Sequence, residues 1–540
     1  MQKPLTPLFI TALILLLFAC PAAADTVIIH TNDVHGHFTD SIGYDGLSAY
    51  IQDLKNAGDN VILLDAGDAF QGTAQDNIFK GESAVTLMNR LGYQAACAGN
   101  HDFDFGTEQL LNIKNETEFP ILAANIFFED TGKPVFQDRL ILETDNLKLG
   151  IFGLTTPETK TQSMPANTEG LTFAEGEKLY EIAQNEVDTL KKAGCDIIIC
   201  LAHLGLDEFA KPDRSCDLAE KVTGIDLLID GHSHTVLENG KEVGNTLIVS
   251  TGCNLEHIGV VRMKDGKLNA SLITDYDKKD VEITAQIKEY TDVADTVYGN
   301  KIGETKVYLN GEKSPGGRTN ETNLGDLVSD AMFRKAEKTG CTPDIALING
   351  GSLRTSVQTG DITRKDIFNV LPFSNTLVTV EIPGKTLLEA LEANSATTPE
   401  PEGGFAQVSG MVYCIDTSKE YKEGEINRVS IESVGGKPFD ADKTYIVATN
   451  NFIASGGDKY AVFSGLQFKD TGVLLDDAVC DYIQEELKGV VGGQYEKPQG
   501  RITVGNGACA KPAAKTPASP APVFGVLAGL CAAAILIMRR

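Results

Sequence analysis

Short apolar runs alternate with amphipathic stretches from residue 25 to about residue 275, and each run ends in small or polar residues. Runs of this length predict buried strands, and the amphipathic stretches between them predict helices. The pattern predicts helices at Glu82–Leu91 and Ala174–Ala193. It predicts strands at Thr26–Asn32, Asn60–Asp65, Tyr93–Ala98, Asp196–Leu201 and Ile225–Asp230. The first half of the chain is therefore expected to be an α/β domain.

A second α/β block is predicted from about residue 300 to residue 505. Its helices are expected at Leu324–Lys338 and Lys385–Asn394, and its strands at Ile345–Ile348, Leu377–Ile382 and Tyr445–Thr449. Residues 276–299 between the two blocks are mostly polar and carry both charges. They predict either a solvated helix that joins two domains or a helix that packs on one of them. Pro399–Gly404 is predicted to be a surface loop without a part in a site.

Composition narrows the class of partner. A chain of 540 residues is too long for one core and indicates two domains with appendages. Its net charge of −28 argues against binding to a nucleic-acid polymer, which requires a basic surface. Eleven cysteines without a Cys-x-x-Cys pair do not support a thiol redox motif or a cysteine-rich zinc site. Disulfides are expected among Cys195, Cys216 and Cys253, with the pairing left open.

Both ends of the chain predict export and attachment. Residues 1–24 contain a lysine, a long apolar run and the sequence Ala22-Ala23-Ala24, which together predict a cleaved signal peptide. Residues 506–522 are rich in Ala and Pro and predict an extended stalk. Residues 523–540 are apolar and end in two arginines, which fits either a short membrane anchor or a surface-sorting signal. The protein is expected on the extracellular face of the membrane or in the periplasm.

Candidate metal ligands follow five of the predicted strands. They occur in the runs Asp-x-His, Gly-Asp, Gly-Asn-His-Asp and Gly-His-x-His and as one single histidine. The ligand candidates are Asp33, His35, Asp68, Asn100, His203, His232 and His234. Ligands bind at the carboxyl ends of strands in open α/β sheets. Nitrogen and oxygen ligands of this kind suit a pair of divalent metal ions such as Zn, Mn, Fe or Co.

These runs resemble the signature of the calcineurin-like metallophosphoesterases. From Asp25 to about Gly505 the chain resembles the 5′-nucleotidase and UDP-sugar hydrolase family. The resemblance implies an N-terminal four-layer metallophosphoesterase α/β sandwich, a linking helix and a smaller α/β substrate-binding domain. The expected bounds are 25–275 for the dimetal domain, 276–299 for the helix and 300–505 for the nucleotide-binding domain.

The resemblance also implies roles for the ligands. Asp68 would bridge two metal ions. Asp33, His35 and His234 would complete one site, and Asn100, His203 and His232 the other. His234 stands where several relatives have Gln, which retains a ligand and bears on metal preference. His101 would act as the catalytic histidine, oriented by Asp104, while His37 and His257 are expected to be structural or to lie outside the ligand set.

Six residues of the second block are similar to the family's substrate-binding residues. Asn349 and Arg354 lie in the run Asn-Gly-Gly-Ser-Leu-Arg, which is similar to the family's Asn-Gly-Gly-Gly-Ile-Arg, and Arg318 precedes a Thr-Asn-Leu-Gly run. The resemblance implies that the two arginines face phosphate. Phe373 and Phe452 would stack on the nucleobase, and Asp458 would accept a hydrogen bond from a ribose hydroxyl.

The activity implied is hydrolysis of nucleoside 5′-monophosphates, with UDP-sugars or dinucleotides as further substrates. Asp104 favours this branch over the 2′,3′-cyclic-nucleotide 2′-phosphodiesterase/3′-nucleotidase branch, which tends to have Asn at that position. A non-catalytic nucleotide-binding surface protein is the remaining alternative. It is disfavoured by the complete ligand set, His101 and Asp104. The oligomeric state stays open.

Overall fold

A computed structural model describes residues 26–39, 41–144, 147–206, 210–264 and 267–509. The predicted signal peptide, the apolar segment 523–540 and residues 510–522 of the predicted stalk lie outside this part of the chain. Within the described residues, none of the helices is both long enough and apolar enough to cross a membrane.

Two sheets of six strands each, counted over the described residues, form the centre of the first domain. The first sheet consists, in spatial order, of Lys267–Ile273, Ile258–Lys264, Thr26–Thr31, Asn60–Asp65, Ala95–Cys97 and Ile121–Leu122. The second consists of Lys241–Val243, Thr246–Val249, Leu227–Asp230, Ile197–His203, Lys148–Thr155 and Arg139–Glu143. Ile126–Phe128 and Leu171–Phe173 form a separate antiparallel pair. The inner strands of both large sheets are parallel, so their carboxyl ends lie at one edge of each sheet.

The two sheets pack face to face and helices cover their outer faces. Apolar side chains such as Ile62 and Ile199 form the core between the sheets. Leu63, on the opposite face of the first sheet, packs in a cluster that includes Leu47 and Leu87 from helices. The helices of this domain are Gly43–Ala57, Ala74–Asn77, Glu82–Leu91, Thr107–Glu116, Thr159–Gln162, Gly176–Lys192 and Ser215–Lys221. The predicted four-layer sandwich is confirmed.

The linking helix, Val281–Tyr298, is packed and not solvated on all sides. Its residues Ile283 and Ile287 are buried in the first domain's core, and its Asp280 cap accepts a hydrogen bond from the N–H of Glu282 at 2.9 Å. Near its carboxyl end, Tyr298 stacks on Phe368 of the second domain with ring centroids 4.9 Å apart. The helix therefore packs along one side on the first domain, exposes most of its other residues and contacts the second domain near its end, so it combines features of both predicted alternatives.

The second domain contains sheets of three, five and four strands in the described residues. The three-stranded sheet consists, in spatial order, of Gly360–Thr363, Lys301–Thr305 and Val490–Val491. The five-stranded sheet consists of Ala406–Ser409, Ile345–Asn349, Thr444–Asn450, Thr376–Pro383 and Phe468–Leu474. The four-stranded sheet consists of Lys437–Pro438, Val429–Val434, Met411–Asp416 and Ile502–Gly505. The helices are Asn323–Lys338, Arg364–Val370, Gly384–Ala393, Asn451–Ala454 and Leu475–Asp481. Every helix and strand predicted for this half is present, with ends that differ by at most one residue.

The disulfide prediction was wrong. Cys195, Cys216 and Cys253 are free thiols, and within the described residues a disulfide joins Cys414 to Cys509, whose Cα atoms are 5.4 Å apart. Residues 506–509, predicted as the start of the stalk, turn back onto the domain, where the N–H of Gly507 donates to Asp416 Oδ1 at 2.8 Å. The folded part therefore extends at least to residue 509.

Candidate active site in the cleft between the domains

The loops after the parallel strands have an unusual backbone. Five ligand candidates adopt positive φ angles, namely Asp33 (51°), His35 (49°), Asp68 (58°), His232 (76°) and His234 (55°). Positive φ is uncommon for residues other than glycine and costs conformational energy. Five such residues at one sheet edge indicate that contacts elsewhere in the fold offset this conformational cost. The strained backbone directs the five side chains toward one another.

The structure brings all seven predicted ligands together. Asp68 Oδ2 lies 3.7 Å from His35 Nε2 and 3.1 Å from His203 Nε2, between the two halves of the cluster. On one side, His234 Nε2 is 3.3 Å from His35 Nε2 and 3.4 Å from Asp33 Oδ1.

On the other side of the cluster, Asn100 Oδ1 lies 3.2 Å from His203 Nε2 and 2.8 Å from His232 Nδ1. The Nδ2 atom of Asn100 is buried and has no hydrogen-bond partner among the described residues. Converging carboxylate, amide and imidazole atoms fit divalent metal ions, which would satisfy acceptors that otherwise face one another.

Backbone carbonyls fix two of the imidazole rings. His35 Nδ1 lies 3.1 Å from the carbonyl oxygen of Gln71, and His203 Nδ1 lies 2.7 Å from that of Ala66. An Nδ1–H that donates to a carbonyl leaves Nε2 as the free lone pair directed into the cluster. Both rings are thereby set in the tautomer that a metal ion requires.

Asp102 holds two of the ligand loops together. Its carboxylate accepts hydrogen bonds from the N–H groups of Gly99 (2.7 Å), Asp68 (3.2 Å), Ala69 (3.0 Å) and Phe70 (3.1 Å). Gly99 is required at this junction, because a Cβ atom on it would lie 2.1 Å from Asp68 Oδ1. The loop after Ala95–Cys97 can therefore approach the Asp68 side chain directly.

Burial and mutual attraction shift the pKa values of the cluster in opposing directions. Burial raises the pKa of Asp33 to about 6 and lowers the pKa of His35 well below its usual value. Burial opposes ionisation of Asp68 and His203 too, but their mutual attraction prevails and raises the pKa of His203 to about 10. Buried ionisable groups with opposing demands are common at functional sites.

His101 and Asp104 form a hydrogen-bonded pair beside the cluster. His101 Nδ1 lies 2.8 Å from Asp104 Oδ2, and both side chains are mostly buried. Burial raises the pKa of the Asp104 carboxyl, and the nearby His101 opposes that rise. A carboxylate on Nδ1 directs Nε2 of the imidazole outward, as a general acid or an electrostatic stabiliser needs.

A cavity of about 440 Å³ extends from this pair into the second domain. Its walls include Asp68 and His101 from the first domain and Arg318 and Arg354 from the second. Burial lowers the pKa of Arg354, but an arginine remains a cation at neutral pH. The cavity is within the size range of small-molecule sites and has cations near the ligand cluster.

The predicted base- and ribose-binding residues line the same cavity. Phe452 packs against Gly457, where a Cβ atom would lie 2.3 Å from its ring. Asn349 Nδ2 donates to Asp458 Oδ2 at 2.8 Å, so this amide orients the carboxylate. Phe373 instead lies beside the His101 and Asp104 pair, because its ring stacks on His101 and the Arg354 guanidinium lies 5.4 Å from its centroid.

Known proteins share both domains. The sequence profile of the calcineurin-like phosphoesterases matches residues 26–236, and that of the 5′-nucleotidase C-terminal domain matches residues 301–465. The human 5′-nucleotidase is 30% identical over 91% of this chain and 93% of its own length. A crystal structure of the 5′-nucleotidase precursor from Thermus thermophilus superimposes with a TM-score of 0.78 at 30% identity, over 89% of this chain and 99% of that one. This chain belongs to the 5′-nucleotidase family.

A further relative is longer. The trifunctional nucleotide phosphoesterase protein YfkN of Bacillus subtilis is 31% identical over 88% of this chain, which covers 35% of the relative. Membership of the 5′-nucleotidase family makes the protein a metal-dependent phosphoester hydrolase, and its phosphoesterase fold implies divalent metal ions.

Sequence reasoning missed two residues in this 5′-nucleotidase family site. Glu158 Oε2 lies 3.2 Å from His232 Nε2, although no sequence motif marks it. Glu402 lies in the loop Pro399–Gly404 and lines the cavity beside Asp458, so the prediction that this loop has no part in a site was wrong, although Pro399 is exposed. Its carboxylate forms an ion pair with Lys459.

The two other histidines that were expected outside the ligand set differ in what the structure shows. His257 Nδ1 lies 2.9 Å from the carbonyl oxygen of Thr251, which supports a structural role. His37 is partly buried in the loop after Thr26–Thr31.

Proposed function

We propose that the protein is a dimetal 5′-nucleotidase that hydrolyses nucleoside 5′-monophosphates to nucleoside and phosphate. The observation that carries this proposal is the continuity of one cavity from the ligand cluster to Asp458. A phosphoryl group at the cluster would place a ribose and a base against the second domain. The resemblance to named 5′-nucleotidases supports the same orientation.

The proposed roles follow from the positions of the side chains. Two divalent ions, held by the seven ligand residues, would supply an activated water and neutralise charge on the phosphoryl oxygens. Arg318 and Arg354 bind the remaining phosphoryl oxygens. As water adds to phosphorus and the bond from phosphorus to the 5′-oxygen breaks, His101 Nε2–H donates a proton to the leaving oxygen. Asp104 stabilises the imidazolium before that transfer.

Phe452 provides a stacking surface for the base, and the Asp458 carboxylate accepts hydrogen bonds from the ribose hydroxyl groups. Stacking accepts every base, so broad tolerance among nucleotides is expected. UDP-sugars and dinucleotides are further candidate substrates. The name of the Bacillus subtilis relative, a trifunctional nucleotide phosphoesterase, supports testing more than one substrate.

We also propose that the protein is exported and held at the cell surface or membrane by its C-terminal segment. The sequences at the two ends support this proposal, and a disulfide between Cys414 and Cys509 is typical of an oxidising compartment. The proposed domain bounds are 25–275 and 300–505, with the helix region 276–299 between them, and residues 506–509 are attached to the second domain through Cys509 and Gly507.

The test is phosphate release by the full chain from AMP, UDP-glucose and 2′,3′-cyclic AMP, with and without a chelator. AMP turnover that the chelator abolishes and added Mn²⁺ restores is the expected result. Turnover of the cyclic substrate alone would assign the protein to the 3′-nucleotidase branch. Binding of AMP without phosphate release at any added metal would support the non-catalytic alternative and overturn the proposal.

A further inference from the structure

Glu158 connects the second large sheet to the ligand cluster. It follows the strand Lys148–Thr155 and immediately precedes the short helix Thr159–Gln162. The backbone there is fixed, because the carbonyl oxygen of Glu158 accepts hydrogen bonds from the N–H groups of Thr161 (2.8 Å) and Gln162 (2.7 Å). The side chain therefore leaves a well-defined turn toward His232.

The imidazole of His232 lies between two oxygen atoms. Its Nδ1 is 2.8 Å from Asn100 Oδ1, at the ligand cluster, and its Nε2 is 3.2 Å from Glu158 Oε2. Gln162 Nε2 donates to the same Glu158 oxygen at 3.2 Å. An imidazole that offers Nδ1 to a metal ion carries its proton on Nε2, and the Glu158 carboxylate is placed to accept that proton's hydrogen bond.

This arrangement distinguishes His232 from two other ligand histidines. His35 and His203 present Nε2 to the cluster and contact neutral backbone carbonyls through Nδ1. His232 instead presents Nδ1 to the cluster and contacts the Glu158 carboxylate through Nε2. A negatively charged acceptor makes an imidazole a stronger electron donor than a neutral carbonyl does.

The nearest cation in sequence does not neutralise Glu158. Lys160 Nζ instead pairs with Glu129 Oε1 at 3.2 Å on the surface. The Glu158 side chain is only one-quarter exposed, with 25% of its surface accessible. Its charge is therefore partly shielded from water and acts on the adjacent imidazole.

We propose that Glu158 is a positioning residue for the ion on the Asn100 side of the cluster. It holds His232 in the tautomer with a free Nδ1 and strengthens that nitrogen as a ligand. This inference rests on the proposed metal-binding role of His232 and adds a residue outside the seven ligands. Loss of such a partner reduces metal affinity about 10- to 100-fold in other metal sites.

The test measures metal binding directly. The metal-free full chain is titrated with Zn²⁺ or Mn²⁺ in competition with a chelating indicator, for wild type, Glu158→Ala, Glu158→Gln and Glu158→Asp. Glu129→Gln is the matched control, because it removes a carboxylate that contacts the same segment at the surface. We expect Glu158→Ala to reduce the affinity for one of the two metal ions about 10- to 100-fold. Glu158→Gln should reduce this affinity less, and Glu158→Asp should keep part of it. The Glu129→Gln control should bind both ions with the wild-type affinity.

AMP hydrolysis gives the second readout. If Glu158 acts through metal occupancy, kcat of the Glu158→Ala variant recovers at saturating metal while KM for AMP stays near the wild-type value. A Glu158→Ala variant with wild-type affinity for both ions overturns the inference; if that variant does not fold, the same result for Glu158→Gln overturns it. A wild-type chain that binds two ions but releases no phosphate contradicts the proposed function alone.

Discussion

The imidazole ring of His101 stacks on the phenyl ring of Phe373, with centroids 5.3 Å apart and planes inclined by 24°. The two residues belong to different domains. The guanidinium of Arg354 lies 5.4 Å from the same phenyl ring. Phe373 therefore joins the proposed proton donor to a proposed phosphate-binding cation, in addition to any contact that it makes with a base.

Replacing Phe373 is expected to affect the chemical step. In a Phe373→Ala variant, His101 loses a stacking partner, and an aromatic pair contributes about 0.5–1.5 kcal/mol. We expect kcat for AMP to fall about 3- to 10-fold while KM also rises. Phe452→Ala is the comparison, because that ring packs on Gly457 and is the proposed stacking surface for the base. Its loss should change KM with little effect on kcat. Equal effects of both variants on kcat would contradict a special role for Phe373.

The pair of His101 and Asp104 predicts a graded loss of rate. His101→Ala removes the proton donor and should lower kcat by about 10²- to 10⁴-fold. Asp104→Asn keeps a hydrogen-bond acceptor at 2.8 Å from Nδ1 but removes its charge, so a smaller loss is expected. Metal content, measured by elemental analysis of both variants, should match wild type. A loss of bound metal would show instead that the substitutions damage the ligand cluster.

The ligand cluster could be predicted from the sequence because most of its residues lie in short, recognisable runs of the chain. Each ligand lies at the carboxyl end of a strand or within a few residues of it, and parallel strands bring such positions to one sheet edge. Glu158 also follows a strand, Lys148–Thr155, but it lies in no recognisable motif that would distinguish it from the other acidic residues of the chain, and its partner His232 is 74 residues away. The same reason applies to Cys414 and Cys509, which are 95 residues apart.

The loop Pro399–Gly404 was misread for a different reason. Pro and Gly are typical of surface turns, but here Arg428 is buried beneath the preceding segment. Its guanidinium donates to the carbonyl oxygens of Ser395 and Thr398 and, at 3.1 Å, to that of Ala396. Arg428 thus holds the preceding segment inward, and the N–H of Glu402 donates to the carbonyl oxygen of Arg318 at 3.0 Å, which places Glu402 in the cavity. Local composition contains no sign of that contact.

Asp102 should be essential for stability as well as for metal binding. Asp102→Ala would leave four backbone N–H groups without their acceptor, and each buried unsatisfied group costs about 1–3 kcal/mol. We expect a fall of more than 5 °C in the Tm of the metal-free protein. Asp53→Ala, which removes an exposed carboxylate, is the control and should change Tm much less. An unchanged Tm for Asp102→Ala would show that the loops are held by other contacts.

The disulfide predicts a specific pattern of thiol reactivity. In the purified oxidised protein, alkylation under denaturing conditions should modify Cys195, Cys216 and Cys253 and leave Cys414 and Cys509 linked. Mass spectrometry of a non-reduced digest would identify the linked peptides. Reduction should lower the free energy of unfolding by about 2–4 kcal/mol, because the bond closes a long loop. Linked peptides that contain Cys195, Cys216 or Cys253 would contradict the structure.

Asp458 should make nucleoside binding depend on pH. Burial, and next the nearby Glu402 carboxylate, raise its pKa to about 6. Because the folded protein holds this proton more tightly than the unfolded chain, the group's contribution to stability is present at low pH and is lost as pH rises through 6. Binding has the opposite sign, since only the ionised carboxylate accepts from both ribose hydroxyls.

The ionised fraction of such a group falls from about 0.9 at pH 7 to about 0.1 at pH 5. Calorimetry with adenosine, a product without phosphate, should therefore show a Kd that rises close to 10-fold over this range. The side chain of Asp458→Asn cannot ionise, so the variant's Kd should be larger than that of wild type at pH 7 and nearly constant between pH 5 and pH 7. If wild type and Asp458→Asn show the same change with pH, the dependence arises elsewhere in the cleft, and Asp458 is not the group that binds the ribose as an anion.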